Sequence, residues 1–536
     1  VAGRLRIGVY NRFWPTAGGG EKFAGGIAEA LAVRHDVDVI GHDDTDPAKL
    51  AELATRLGLD LTGVGWRAVD PSPSAVEAAS ADYDLFVNAS YGSVLRNRAR
   101  HGLYVTHFPT IGAPPPTGWR RFARRVAGRL ARWTGADPEG ARWAGGAYSP
   151  EPLGPLTHRW TDGEAVLQLG AAPARRRGPG RRRQARGRPV TLVLGRVTAD
   201  AGPVEVTLRD DTGAALATTT VTPRRRRASS PLWLLRARVP AGPATVLRLT
   251  SPTRLAVARV SDGRQLGVSV VAVLDGPWYQ QLLQLVDQPI RAAAADLSFL
   301  GSYDRVVANS SFTRQWVRRL WAVDAGVLEP PVHPQPCGAK DPVILHVGRF
   351  FSPEAGHGKR QLELVEAFRR LHERGTATGW SLHLVGGCDD DGRPYLDTVR
   401  AAIGDLPVEL HVNAPGDELR ALFARASVYW HATGLGEDPE AHPERMEHFG
   451  IATVEAMSAG AVPVAIGVAG QLEVFDHGVE GFHFRDLDQL VSLTESLVAD
   501  PDLTDRLRRA ARQRAERYGP EAFRQRLLAL VDEISG

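Results

Sequence analysis

The chain has 536 residues, 43% hydrophobic and 24% charged, several times the roughly 100–200 residues of one domain, which excludes a lone small binding module and disorder as the main state. Its 65 basic and 61 acidic residues leave a net charge of only +4, yet residues 117–188 hold 16 Arg against 5 acids, so the remainder is acidic. That asymmetry points to an anionic surface, such as phospholipid headgroups or nucleic acid, rather than to a generally basic protein.

From Leu5 the chain reads strand (LRIGVY), loop (Asn11 to Gly20), helix (Glu21 to Ala32) and strand (DVDVIG), the alternation of a parallel α/β sheet. Short strands follow at YDLFVNAS, GLYVTHF and YDRVVANS. Between Ser149 and Gly276 the pattern changes to short β-rich runs punctuated by Gly, Pro and Asp-Gly, which predicts an antiparallel sandwich inserted into the α/β domain, with a core of its own within 190–275. An Arg/Gly/Pro segment, 173–189, leads into it as a loop. After Pro330–Pro342 the alternation restarts at VILHVG and runs through VPVAI as a second doubly wound domain. The expected boundaries are 1–149 and 277–330 for the first domain, 150–276 for the insert and 331–515 for the second domain. Residues 516–536 form a helix crossing back to the first.

Three local patterns carry chemistry. Glu447 and Glu455 bracket Glu447-His448-Phe449-Gly450-Ile451, where a glycine opens a helix whose N-terminus can hold a diphosphate. Upstream, Gly348-Arg349 closes a strand and Lys359 begins a helix, placing two cations at the carboxyl edge of a parallel sheet. Only four lysines occur, Lys22, Lys49, Lys340 and Lys359, so a lysine there is notable. In the first domain Gly18-Gly19-Gly20-Glu21-Lys22 joins strand to helix. It lacks the Gly-Lys-Ser/Thr ending of a Walker A loop and suits close backbone approach to a ligand. Asp389-Asp390-Asp391 follows a strand in a Gly-containing loop and reads as a solvated turn rather than a metal site.

Together these residues resemble glycosyltransferase family 4, retaining nucleotide-sugar transferases of GT-B fold. EHFGIATVEAMSAGAVPV is similar to that family's paired-glutamate motif, and VGRF with Lys359 to its phosphate pair. The strings GGGE, THFPT, ANSSFT…LW and EHFGI, in this order, are similar to the dolichol-pathway mannosyltransferases. The resemblance covers roughly 1–133 and 277–536, and not the insert. It implies two Rossmann-like domains facing a cleft, with Arg349 and Lys359 holding the donor diphosphate, Glu447 contacting the transferred hexose and Glu455 the ribose. Gly348, Phe449, Gly450 and Ile451 would line the donor site. His107 would lie near the sugar, Gly19 and Gly20 would approach the diphosphate or acceptor, and Ser310 would lie on the acceptor side. No cofactor or metal is expected.

The implied activity is retaining transfer of a hexose, with GDP-mannose as first choice of donor, to a saccharide or lipid-linked acceptor in glycan or polysaccharide biosynthesis. A UDP-sugar transferase of the same fold and a catalytically silent carbohydrate-binding scaffold remain the alternatives. Nucleic acid is not an expected partner. The segment Trp119 to Trp133 has apolar residues at helical spacing and six Arg with no acid, which suits a helix lying on an anionic membrane surface as well as one packed on its own domain. No run of about 18 apolar residues occurs, and Cys337 and Cys388 lack a disulfide or zinc-ligand pattern. The expectation is a cytoplasmic protein, peripheral at most at the inner face of the membrane.

Overall fold

A computed structural model describes residues 3–16, 18–42, 47–109, 141–153, 156–169, 187–195, 197, 202–222, 232–240, 245–255, 265–278, 280–282, 284, 297–351 and 358–536. The expected helix at Trp119 to Trp133 and most of the Arg-rich run lie outside these residues. The strands are β1 (Arg6–Tyr10), β2 (Asp36–Gly41), β3 (Gly65–Ala68), β4 (Leu85–Asn88) and β5 (His101–Thr106). They continue with β6 (Ala141–Leu153), β7 (Leu156–Leu169), β8 (Arg188–Leu194), β9 (Val204–Arg209), β10 (Ala215–Val221), β11 (Trp233–Val239) and β12 (Thr245–Thr250). Next come β13 (Arg254–Leu255), β14 (Gln265–Leu266), β15 (Ser269–Asp275), β16 (Arg305–Ala308) and β17 (Gly326–Val327). The last six are β18 (Asp341–Val347), β19 (Ser381–Gly386), β20 (Val408–Val412), β21 (Ala426–His431), β22 (Val462–Ile466) and β23 (Phe482–Phe484).

The first domain is a parallel sheet in the order β17-β16-β5-β4-β1-β2-β3. Helices cover both of its faces, so its central strands are apolar on both sides. One core joins Ile7 and Val9 to Phe23, Ile27 and Leu31 of the helix Gly19–Ala32. The other gathers Tyr10, Ile40, Phe86 and Tyr104 against Phe299, Tyr303 and Trp321. Phe523, Leu527 and Val531 of the C-terminal helix Pro520–Ser535 fill the first of these cores. Truncating a residue as buried as Phe523 would cost about 3–5 kcal/mol. The crossing occurs at Gly519 and Pro520, because the preceding helix, Pro501–Glu516, still packs Ala511 and Ala515 on the second domain.

The insert is antiparallel and wraps one core between its layers, as expected, and those layers are joined rather than separate. Its strands form one eight-stranded antiparallel sheet in the order β10-β9-β12-β7-β15-β8-β11, with β6 also on β7. The reason lies in the 14-residue β7. Its first half pairs with β15 at Trp160 and Arg159, and its second half with β12 from Glu164 to Leu169. A strand that bends this way belongs to two layers at once. The bend falls at Gly163, whose φ of +107° disfavours any side chain. Ala165, Leu167 and Leu169 of β7 are buried in the insert's core, so that core begins well before residue 190.

The second domain is a parallel sheet in the order β20-β19-β18-β21-β22-β23. Its helices Gln361–Glu373 and Leu487–Ala499 cover one face, with Leu364, Phe368, Leu490 and Leu497 on Ile344, Val428 and Val464. Lys340 is pinned beneath the domain by donating to the carbonyls of Phe423, Ala424 and Ala459, at or near the C-termini of two helices. Burial pushes its pKa down to about 8. No helix among the described residues is long and apolar enough to cross a membrane.

Candidate active site

In the second sheet β18 lies between β19 and β21, so the crossover direction reverses at the β18–β21 pair, the place where open α/β sheets bind ligands beyond their strand ends. Gly348 and Arg349 follow β18, and His431 ends β21. The loop after β21 brings Glu447 back to this point. Lys359 donates to Glu447 Oε2 at 2.7 Å, and His431 Nε2 lies 3.3 Å from the same oxygen. Burial works against the charge on Glu447, but Lys359 and His431 outweigh it and hold the carboxyl well below the usual range. A Cβ on Gly348 would stand 2.8 Å from Lys359 Cγ and 3.1 Å from His346 Nε2, so a larger residue would displace this arrangement.

His346 and His431 did not stand out in the sequence, where VILHV and VYWHA read as ordinary buried strands. Both sit near a strand's carboxyl end, and their rings are 6.3 Å apart. His346 Nδ1 donates to the Trp430 carbonyl at 2.9 Å, which leaves a lone pair on Nε2. Burial pushes its pKa down to about 3, so the ring is neutral. His346 Nε2, Thr433 Oγ1 and Gln471 Nε2 are buried without a hydrogen-bond partner. Buried polar groups are otherwise nearly always paired, so each of these atoms has a hydrogen bond to offer to a polar group that reaches it.

Glu447 leads into the helix Ile451–Ala459 through Gly450, whose φ is +107° and whose Cβ would lie 2.1 Å from Gln471 Nε2. No side chain caps this helix and no acid sits in its first turn, so its N-terminal dipole has no charge of its own to offset it. Glu455 lies inside the helix and is buried. It accepts hydrogen bonds from Lys22 of the first domain and, at 3.4 Å, from Gln335. Phe449 points the other way, into the core against Tyr518 with ring centroids 5.3 Å apart, and supports the helix from behind. Ile451 faces the first domain, where a Cβ on Gly19 would be 3.6 Å from its Cδ1.

Across the cleft, Glu21 folds the glycine loop onto its helix by accepting from the Gly18 amide at 2.7 Å and the Thr16 hydroxyl at 2.6 Å. Its neighbour Lys22 therefore turns toward the second domain. His107 follows β5 and donates Nε2–H to the Ala89 carbonyl at 2.8 Å. Burial holds its pKa below the ordinary value, so its Nδ1 carries a lone pair. Its ring lies within 3.5 Å of the Cβ position of Gly20, so that glycine leaves the ring open to the loop. Ser310 is fully buried as the N-cap of the helix Ser311–Trp321, accepting from the Thr313 amide at 3.1 Å.

Several further residues hold the two domains together, and none was legible as a site residue. The His448 ring stacks on Phe108 at 4.2 Å and 9°. Glu473 accepts from the amides of Ser311 and Phe312 at 2.7 and 2.6 Å, capping a helix of the opposite domain. Glu440, in the charged loop before Glu447, pairs with Arg319 at 2.7 Å. Arg349 is half-exposed and donates to Asp389 at 3.1 Å, while Asp389 also caps the turn at Gly392. The triple aspartate thus makes a helix-capping turn.

Residues 334–514 match the family described as Glycosyl transferases group 1. Over 258 residues the chain is 26% identical to the GDP-Man:Man(3)GlcNAc(2)-PP-Dol alpha-1,2-mannosyltransferase of Dictyostelium discoideum, covering 44% of this chain and 48% of that protein. It is 34% identical over 266 residues to the Alpha-1,3/1,6-mannosyltransferase ALG2 of Homo sapiens, covering 44% and 59% respectively. The chain spans about half the length of the curated relatives it matches. A solved structure, Anabaena Alr3699/HepE in complex with UDP and glucose, aligns with 13% identity and a TM-score of 0.49 over 99% of this chain and 100% of that one. Residues 334–514 thus match the Glycosyl transferases group 1 family, and the chain, built of two parallel α/β domains in contact with each other, is similar to the dolichol-pathway mannosyltransferases.

Proposed function

We propose that this protein is a retaining hexosyltransferase that moves mannose from GDP-mannose to a lipid-linked saccharide. The observation that carries this reading is the Lys359–Glu447–His431 cluster beside an uncapped helix N-terminus, facing the Gly18–Gly20 loop across the cleft. Two of the curated relatives are GDP-Man-dependent by name, which supports the choice of donor. In this reading the donor diphosphate lies over the Ile451–Ala459 N-terminus, with Lys359 and Arg349 stabilising the charge that grows on the departing nucleotide. Glu447, kept ionised, accepts from hexose hydroxyls, and Glu455 accepts from the ribose once Lys22 yields it. His107 and the neutral His346 line the sugar side without adding charge. The departing phosphate oxygen assists removal of the acceptor's proton on the same face of the sugar, so no carboxylate acts as nucleophile and no metal is required.

The test is release of free nucleotide from a panel of GDP- and UDP-sugars, with and without a lipid-linked oligosaccharide. GDP release from GDP-mannose, accelerated by the acceptor, is the expected result. Release from none of the panel would overturn the reading. We further propose peripheral contact with anionic membrane through the segment Trp119 to Trp133, whose arginines would bind headgroups in a salt-dependent way. Replacing Arg120, Arg121, Arg124 and Arg125 by Gln should weaken sedimentation with anionic vesicles, and equal sedimentation would sink the idea.

A further inference from the structure

The outer edge of the second domain carries a cluster of metal-ligating side chains that donor chemistry does not use. His383 lies on β19, and Glu409 and His411 lie on the edge strand β20. In the parallel register His383 stands opposite Glu409, with His411 two residues further on, so all three project from one face. Two strands separate β20 from β21, which bears His431.

The donor atoms converge. His383 Nδ1 and His411 Nε2 are 2.9 Å apart, and each lies 3.7 Å from Glu409 Oε2. Donors at about 2.0–2.1 Å from a tetrahedral zinc ion stand roughly 3.3 Å from one another, so these separations bracket the required triangle. The outward nitrogens are also held. His411 Nδ1 lies 2.6 Å from Glu418 Oε1, and His383 Nε2 lies 3.0 Å from the Ser381 hydroxyl. Carboxylate or hydroxyl partners of this kind fix the ring tautomer and orientation of metal-bound histidines.

The tautomers sharpen the argument. Facing a carboxylate, His411 Nδ1 must carry its proton, so neutral His411 presents the Nε2 lone pair to His383. A single shared proton would satisfy that nitrogen pair alone and leave the Glu409 carboxylate to solvent. A divalent cation answers all three donors. His383 is buried and Glu409 is mostly exposed, so one side of the triangle opens to water, leaving room for a fourth ligand.

We propose that His383, Glu409 and His411 bind one zinc-class divalent cation. Two imidazoles and a carboxylate suit Zn2+ and its borderline neighbours, and they do not suit Mg2+ or Ca2+, which take all-oxygen shells. The ion ties the edge strand β20 to β19 and, through Glu418, to the helix Gly416–Arg425, which packs on β18 and β19. Its role is structural, in keeping with its distance in the sheet from the cleft.

The experiment titrates tag-free, chelator-treated full-length protein with ZnCl2 by calorimetry and records the visible spectrum after Co2+ loading. Expected results are about one zinc per chain, a four-coordinate Co2+ spectrum without thiolate charge transfer, and a melting temperature raised by zinc. Glu418→Gln should weaken binding about 10–100-fold, and His411→Ala by more than that. Glu409→Gln, at an exposed position that should not disturb folding, should also weaken it. Binding that survives unchanged in His411→Ala and Glu409→Gln, or that is lost only with Cys337→Ser or Cys388→Ser, overturns the assignment. So does the absence of stoichiometric binding in the folded wild type.

Discussion

Lys22 of the first domain donates a hydrogen bond to Glu455 of the second, across 433 residues of sequence, and both side chains are largely buried in the contact. The carboxylate expected to hold a donor ribose is therefore already occupied by a cation of the opposite domain. A donor reaching Glu455 must displace Lys22 or share the carboxylate with it, so donor binding and the seating of the two domains are coupled through one oxygen.

That contact fixes the signs of two substitutions. Glu455→Gln should raise the donor KM more than it lowers kcat, because a ribose contact is common to ground and transition states. Lys22→Met keeps the aliphatic stem and removes the competitor, so it should lower the donor KM. Because the contact is largely buried, the change should exceed the roughly 1 kcal/mol, about fivefold, of an exposed pair. Steady-state kinetics that move both KM values in the same direction would show that the pair does not gate donor entry.

Lys359→Met should abolish most turnover, by about 2–4 kcal/mol of barrier, and should also destabilise the fold in a pH-dependent way. In the wild type, Glu447 is held well below the usual carboxylate range. It therefore contributes stability that is present above the pKa of an unfolded Glu and is lost as pH falls through the lower folded value. Without Lys359 the remaining burial favours the protonated form, a contribution lost as pH rises. The gap in unfolding free energy between wild type and variant should widen as pH rises from the lowered pKa of wild-type Glu447 to its raised pKa in the variant, by about 1.4 kcal/mol for each pH unit between the two. Urea titrations at several pH values measure it. A constant gap would place the ionisation of Glu447 under other control.

Arg349→Ala should cut kcat while leaving the melting temperature nearly unchanged, since its pair with Asp389 is half-exposed and worth little to stability. Asp389→Asn frees the guanidinium and should keep turnover at or above the wild-type value. Near-normal turnover in Arg349→Ala would remove this cation from the leaving-group site.

The insert should fold when expressed as residues 141–276 and fail to fold as residues 190–275, because β7 supplies Ala165, Leu167 and Leu169 to its core. Circular dichroism and cooperative urea unfolding distinguish the two fragments. A cooperative transition in the shorter one would show that β6 and β7 are dispensable. Deleting the insert should leave donor hydrolysis measurable, as none of the donor residues lies within it.

Two parallel α/β units, a β-rich insertion and the segment from Glu447 to Glu455 are written in the sequence, because strand runs buried on both faces, helix periodicity and a glycine at a helix start are local patterns. Those patterns state which face of an element seeks the core. They do not state which distant charges will meet. Lys22 on Glu455, Glu473 on the helix Ser311–Trp321, and His448 stacked on Phe108 are contacts between domains. In sequence each of these residues reads equally well as solvated. His346 and His431 looked like interior strand residues until β18 and β21 were paired at the switch point, and His383 and His411 until β19 and β20 were placed in register. The bend of β7 at Gly163 likewise depends on which strand takes each half of its edge. Local periodicity determined the elements and the donor-side motif, while the long-range placement of charged and aromatic side chains, set only when the strands pair and the domains close on each other, decided what the site contains.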